Sequence, residues 1–438
     1  MEKITGEFKI REKKFTALQE EIKNLSDLKI KLEEFLKKST TELLEVILAG
    51  GISLEASDLH VEPKEEQAKI RVRIDGILQD VLFFDLKTYQ ALLSRIKLLS
   101  EIKLNITDRP QDGRFSFVVL SIKKNKIIEI EIRTSSLPTE YGESIVLRIL
   151  NPKSLIEIEG LGLRKDILEI FKNEIKKPNG MIIVTGPTGS GKTTTLYAVL
   201  KKIQKPEIKI ITIEDPIEYR LPGISQTQVN PPKGYDFANG LKSIMRQDPD
   251  VILVGEIRDL ETAEIALQAA LTGHLVLTTL HTNDAAGTIA RLVSLGAKSF
   301  NIGPALNIAI AQRLVRKVCQ KCGGSKKISP DYLRKIKKIS RGIPEKIKFP
   351  KIDSSLKVAQ IKGCQDCNFT GYRGRVGIFE IFSIDDEVEK FILKSPSIAG
   401  LKELAGKKGM VSIKEDGIIK VLEGVTTIEE LERIVGEL

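Results

Sequence analysis

The chain has 438 residues, 41% of them hydrophobic and 29% charged, a composition that builds roughly two to four globular domains with true cores. Its apolar runs fall far short of the roughly 20 residues that span a membrane, and the charged start from Glu2 onward contains no signal-peptide core. A soluble cytoplasmic protein is therefore expected, with any membrane contact made through a partner. The net charge is +10, and the stretch from Lys321 to Lys362 alone carries thirteen Lys/Arg against three Asp/Glu, so the whole excess is local. Such a patch suits an acidic protein, lipid headgroups or nucleic acid, or simply a solvated face.

Residues 1–38 are rich in charge and poor in turn formers. Phe15, Leu18, Ile22, Leu25, Leu32 and Leu36 recur at helical spacing, interrupted by Lys29, and predict an amphipathic helical arm. The stripe is short for a coiled coil, so packing on its own domain is the leading reading. From 39 to 152 the texture is mixed α/β. Ser39-Thr40-Thr41-Glu42 is a capping box for a helix running to Gly50-Gly51. Strand-like alternation appears at 69–74, 127–132 and 144–149, with a helix at 88–99. Asn151-Pro152 and the glycines at 160 and 162 mark a linker over 153–162.

From 163 to 438 the pattern alternates strand and helix. Strands are predicted at 181–185, 209–213, 251–254 and 275–279, which makes a parallel sheet with helices on both faces and a ligand site at the strands' carboxyl ends. The first strand leads into Gly186-Pro187-Thr188-Gly189-Ser190-Gly191-Lys192-Thr193, a complete phosphate-binding loop, followed by a helix from Thr194. Its glycines let backbone N–H groups face phosphate oxygens at a helix N-terminus. Lys192 would reach the β- and γ-phosphates, and Thr193 would offer its hydroxyl to Mg²⁺.

Each later strand also ends in chemistry. After the second come Glu214 and Asp215, carboxylates suited to Mg²⁺. After the third comes Gly255-Glu256, where an acidic pair would be usual, leaving Glu256 to polarise the attacking water. His274 precedes the fourth strand and His281 follows it, and either could sense a γ-phosphate or simply be a packed structural histidine. The four cysteines form two CxxC pairs, Cys319/Cys322 and Cys364/Cys367, with 41 residues between. In a cytosolic chain this reads as a closed structural zinc site rather than a redox pair or disulfides.

These motifs, together with Ala56-Ser57-Asp58-Leu59-His60-Val61-Glu62-Pro63 and Arg71-Val72-Arg73-Ile74-Asp75-Gly76, resemble the GspE/PilB-type ATPases of type II secretion and type IV pilus assembly, from about residue 40 to the end. The resemblance implies a RecA-like ATPase domain over 163–438, with a zinc subdomain at 319–367 and a C-terminal helical part at 368–438. It implies a homo-hexameric ring that hydrolyses ATP against an inner-membrane platform protein at the cytoplasmic face and so moves pilins or pseudopilins. It assigns Arg133 and Arg148 as clamps on the transferring phosphate, and a hinge to 151–162. Larger members carry a docking or nucleotide-sensing domain before Ser57. Residues 1–38 stand there instead, so adaptor recognition and cyclic-dinucleotide control are not carried over, and contact with the platform is one role open to the arm. A RecA-like nucleic-acid translocase is the alternative, disfavoured by 5% aromatics, no Trp and no recognition helix. A non-catalytic nucleotide-binding scaffold is disfavoured by Lys192, Thr193 and Glu256.

Overall fold

The computed structural model describes residues 6–120, 127–152, 155–394 and 396–438. The chain divides into two compact units. The first takes Met1–Ser154 together with Cys319–Cys322 and Lys362–Arg373, and the second takes Leu155–Val318, Gly323–Ile361 and Gly374–Leu438.

In the first unit β1 (Glu7–Arg11), α1 (Glu12–Glu21), α2 (Leu25–Phe35) and α3 (Thr40–Ser53) precede β2 (Asp58–Pro63), β3 (Gln67–Ile74) and β4 (Ile77–Asp85). Then come α4 (Leu86–Leu99), β5 (Gln111–Leu120), β6 (Ile127–Thr139) and β7 (Gly142–Leu150). The described strands form one sheet in the order β1-β5-β6-β7-β2-β3-β4.

The expected single arm is corrected here. Phe8 and Ile10 alternate inward on β1, which pairs in parallel with β5. Asn24 accepts from the Asp27 amide at 3.0 Å and starts a second helix, so the apolar register resets. The buried stripe of α2 is Leu28, Leu32 and Phe35, which spares Lys29. Both helices lie in the same core as Leu44, Tyr89 and Phe117, with roughly 1.5–3 kcal/mol for each large side chain so buried. The Ser39–Glu42 capping box is present, and α3 runs to Ser53, through two glycines that are themselves buried.

The second unit is built on β8 (Gly180–Thr185), β9 (Ile210–Glu214), β10 (Ser225–Gln228), β11 (Val251–Val254), β12 (Leu275–Leu280), β13 (Leu306–Val318) and β16 (Tyr372–Ser383). Their order is β10-β9-β11-β12-β8-β13-β16. The pairings of β8 through β13 are parallel. The four expected strands are thus its centre, side by side. Two further strands, β14 (Gly324–Lys327) and β15 (Lys357–Gln360), pair as a small antiparallel sheet. The helices are α5 (Lys165–Glu174), α6 (Lys192–Ile203), α7 (Phe237–Ile244), α8 (Leu260–Leu271), α9 (Ala285–Ser294), α10 (Ser299–Ala305) and α11 (Pro330–Ser340). The last four are α12 (Asp386–Ile392), α13 (Ile398–Lys407), α14 (Ile413–Leu422) and α15 (Ile428–Val435).

Both faces of this sheet are covered, which explains its near-continuous apolar strands. Met181 and Ile183 pack with Leu241, Leu267 and Ile289 of α7, α8 and α9. Ile182 and Val184 pack with Phe171, Leu196 and Val199 of α5 and α6. No helix among the described residues is long and apolar enough to cross a membrane.

The expected linker is shorter than 153–162. Residues 153 and 154 lie outside the described residues. Ile158–Leu161 form a 3-10 turn whose Ile158 and Leu161 are buried in the α6 side of the second unit's core.

Candidate functional site

The phosphate loop lies where a parallel sheet offers its ligand edge. β8 ends at Thr185, the loop follows, and α6 begins at Lys192 after Gly191 in the left-handed conformation. Gly186 has φ +149°, and a Cβ there would lie 2.6 Å from the Gln312 carbonyl oxygen, so only glycine fits. Pro187, Thr188 and Gly189 are exposed, Thr193 is exposed at the helix start, and Thr194 is half-buried. The Lys192 ammonium donates to the Gly186 carbonyl at 2.9 Å and to the Pro187 carbonyl at 3.4 Å. Burial holds its pKa below the usual lysine value; Glu256 opposes that shift and Arg313 adds to it. The Ser190 hydroxyl is buried and without a hydrogen-bond partner. A desolvated cation and an orphaned hydroxyl inside a glycine loop fit a bound polyphosphate.

The neighbouring strand ends supply the rest. Glu256 follows β11, and its carboxylate meets His281 Nε2 at 3.2 Å and pairs with the Arg258 guanidinium. Arg258 also reaches Asp215 at 3.7 Å. A Cβ at Gly255 would press within 3.3 Å of the Glu214 backbone, which accounts for glycine where an acid is usual. Glu256, His281 and the phosphate loop therefore share one edge of the sheet.

Two expected site residues stand elsewhere. His274 lies at the opposite edge, where its carbonyl accepts from Gly180, and its Nδ1–H donates to the Ala269 carbonyl at 3.0 Å. The length of β12 separates it from the loop, about 20 Å at strand rise. It is half-buried there and remote from the phosphate loop of its own chain. Glu214 is buried and fully engaged: it accepts from Thr212 at 2.5 Å, from Gln226 at 3.2 Å, and from the Tyr197 hydroxyl. Burial raises its pKa. Asp215, exposed at the same turn and 3.7 Å from Arg258, is the carboxylate that solvent reaches.

In the first unit Arg133 and Arg148 are direct cross-strand partners on β6 and β7, on one face of the sheet. Glu131 lies 3.4 Å from Arg133 and Asp58 lies 3.0 Å from Arg148, offsetting the like charges.

The four cysteine sulfurs lie within 4.8 Å of one another. Cys319–Cys364 are 3.9 Å apart, and Cys322–Cys367 and Cys364–Cys367 are each 3.7 Å apart. A tetrahedron with metal–sulfur bonds of ~2.3 Å has edges of ~3.8 Å, so the set fits a metal and is too open for disulfides. The amides of Cys364 and Gly371 donate to the Cys367 sulfur at 3.1 and 3.3 Å, as a thiolate requires. The cysteine loops cluster with the first unit rather than with the second, whose chain they interrupt. The Asn368 side chain there accepts from the Leu25 amide at 2.7 Å, at the start of α2.

Sequence reasoning missed residues that act through packing. Thr185 donates to the Leu280 carbonyl at 3.0 Å and accepts from the Thr282 amide at 2.8 Å. Gln312 accepts from Thr195 of α6 at 2.6 Å, and Arg313 lies beside it on β13. Nothing in their local pattern marks them, because β13 meets the loop only through the sheet.

Strand order, loop and acidic edge define a parallel-sheet P-loop protein. The chain belongs to the family described as Type II/IV secretion system protein, whose model matches residues 34–433. It is 42% identical over 400 residues to the type IV pilus assembly ATPase PilB of Thermus thermophilus, covering 91% of this chain and 43% of that protein. It is 42% identical over 424 residues to type II secretion system protein E of Dickeya dadantii, covering 97% of this chain and 80% of that one. The Legionella pneumophila ATPase DotB has a similar fold, with a TM-score of 0.65 at 21% identity over 91% of this chain and 96% of that one. The ADP-bound pilus retraction motor PilT gives 0.57 at 27% identity over 88% and 95%.

Proposed function

We propose that this chain is the motor ATPase of a pilus or pseudopilus assembly machine. The observation that carries the reading is the convergence of the phosphate loop, Glu256 and His281 at one carboxyl edge of a parallel sheet. ATP takes the loop. Water attacks the γ-phosphorus, the bond to the β-phosphate oxygen breaks, and Glu256 accepts the proton. Lys192 leaves the Gly186 carbonyl to balance charge on the β- and γ-phosphates. His281 keeps Glu256 oriented. Thr193 and Asp215 would hold Mg²⁺, which supplies charge neutralisation, and the four cysteines would hold structural Zn²⁺. The RecA-like class, the hexamer, the inner-membrane platform partner and a peripheral cytoplasmic location are carried over from the resemblance, as are Arg133 and Arg148 as charges on the transferring phosphate.

Steady-state ATP hydrolysis with and without DNA tests this, with Glu256→Gln as control. Hydrolysis that DNA leaves unchanged, and that falls about 100-fold or more in the variant, is expected. Strong DNA stimulation would make the translocase reading the better one and turn the exposed Lys337, Lys338 and Arg341 of the basic segment into a nucleic-acid contact.

A further inference from the structure

Arg313 is a half-buried cation to which neither motif nor resemblance gives a role. Its position follows from β13: Ala311 pairs with Thr185, so the next residues run alongside the start of the phosphate loop. One guanidinium nitrogen, Nη2, donates to the Asn283 carbonyl at 2.9 Å. The other, Nη1, donates to the Gln312 carbonyl at 2.9 Å and lies 3.0 Å from where a Gly186 Cβ would be. Asn283 is two residues after His281 in the loop between β12 and α9. That loop is fastened at its far end, where Glu380 accepts from the Ala285 amide at 2.8 Å and Lys402 pairs with Asp284 at 2.8 Å. Arg313 thus joins the end of β13, beside Gly186, to the loop that follows His281. Burial lowers its pKa from the usual arginine value, and the charges of Glu380 and Asp284 oppose that shift.

We propose that Arg313 is a positioning residue for hydrolysis: its planar guanidinium ties the end of β13, against which Gly186 packs, to the His281 loop and so fixes the His281–Glu256 pair against the γ-phosphate. The inference rests on the ATPase reading above. Geometry is worth much here, since a displacement of ~1 Å at a reacting centre can cost ~100-fold. Lysine would not replace Arg313, because a single ammonium lacks the rigid fork that meets two backbone segments at once.

The test uses the full chain with Arg313→Gln, Arg313→Lys, His281→Gln and the double variant Arg313→Gln/His281→Gln. For each, kcat and KM for ATP, affinity for a fluorescent ADP analogue and thermal midpoint are measured. The expectation is a kcat lowered by about 10-fold or more in both Arg313 variants, with KM and ADP affinity within about threefold of wild type. The double variant should be no slower than His281→Gln, because both act on one arrangement. Fully additive losses, a fully active Arg313→Lys, or lost ADP affinity with unchanged kcat would each overturn the proposal. Should Arg313→Gln not fold, Arg313→Lys carries the same comparison alone. A wild type lacking any Glu256-dependent hydrolysis would instead remove the ATPase reading beneath it.

Discussion

Glu380 shows how much chemistry the core of the second unit carries away from the phosphate loop. It is buried between the starts of α9 and α14, accepting from the Ala285 amide at 2.8 Å and the Ile413 amide at 3.3 Å. Burial raises its pKa above 4.5 more than those amides lower it. The folded chain therefore keeps a proton that the unfolded chain releases. Its contribution is most favourable below the unfolded value near 4.5 and declines as pH rises from there to the folded pKa, then stays flat. Glu380→Gln removes this titration. Urea midpoints of wild type and variant, followed upward from pH 4.5, should show wild type losing ground to the variant; parallel curves would refute it. At Gly186, alanine would drive a Cβ into the Gln312 carbonyl. Gly186→Ala is expected to weaken binding of a fluorescent ADP analogue at least about tenfold, since strain there disturbs the cradle itself. At this scale the placement of Lys192, Glu256 and His281 at one edge of the sheet was legible because each comes after a strand that the apolar pattern marks. His274 was misleading: seven residues apart in sequence, the two histidines are at opposite edges of the sheet.

At the scale of elements, apolar spacing decided more than charge. The sequence of residues 1–38 reads as helix throughout, yet Phe8 and Ile10 find a strand partner in β5 that local pattern could not announce. The Asn24 cap became visible once Leu28 was known to be the first fully buried residue of the second helix. The cysteine loops give a prediction here. Asn368 holds the first amide of α2, so metal removal should loosen that helix start. Chelation, or Cys364→Ser, is expected to speed amide exchange in the first turn of α2 while leaving α6 unchanged, as read by hydrogen-exchange mass spectrometry. Ile158 gives another. It reads as linker but is fully buried beside α6, and Ile158→Ala should cost about 2–4 kcal/mol in urea unfolding. A true linker residue would cost almost nothing.

At the scale of the whole molecule stand Arg133 and Arg148, cross-strand neighbours whose like charges Glu131 and Asp58 offset. If they meet a transferring phosphate, Arg148→Gln should lower kcat about 100-fold or more and leave ADP affinity within about threefold, because charge that develops in the transition state is absent from the bound product. Equal loss of both would make the residue a binding group instead. The sequence by itself determined the phosphate loop, the four central strands, the Ser39 cap and the cysteine set, because each rests on spacing within a few residues. Only the tertiary structure decided that Glu214 is a buried anchor, that His274 is remote, that the cysteine loops group with the first unit and that Arg313 braces the loop. Those outcomes depend on which strands become neighbours, and strand order is set by packing across the sheet, which no short window of sequence contains.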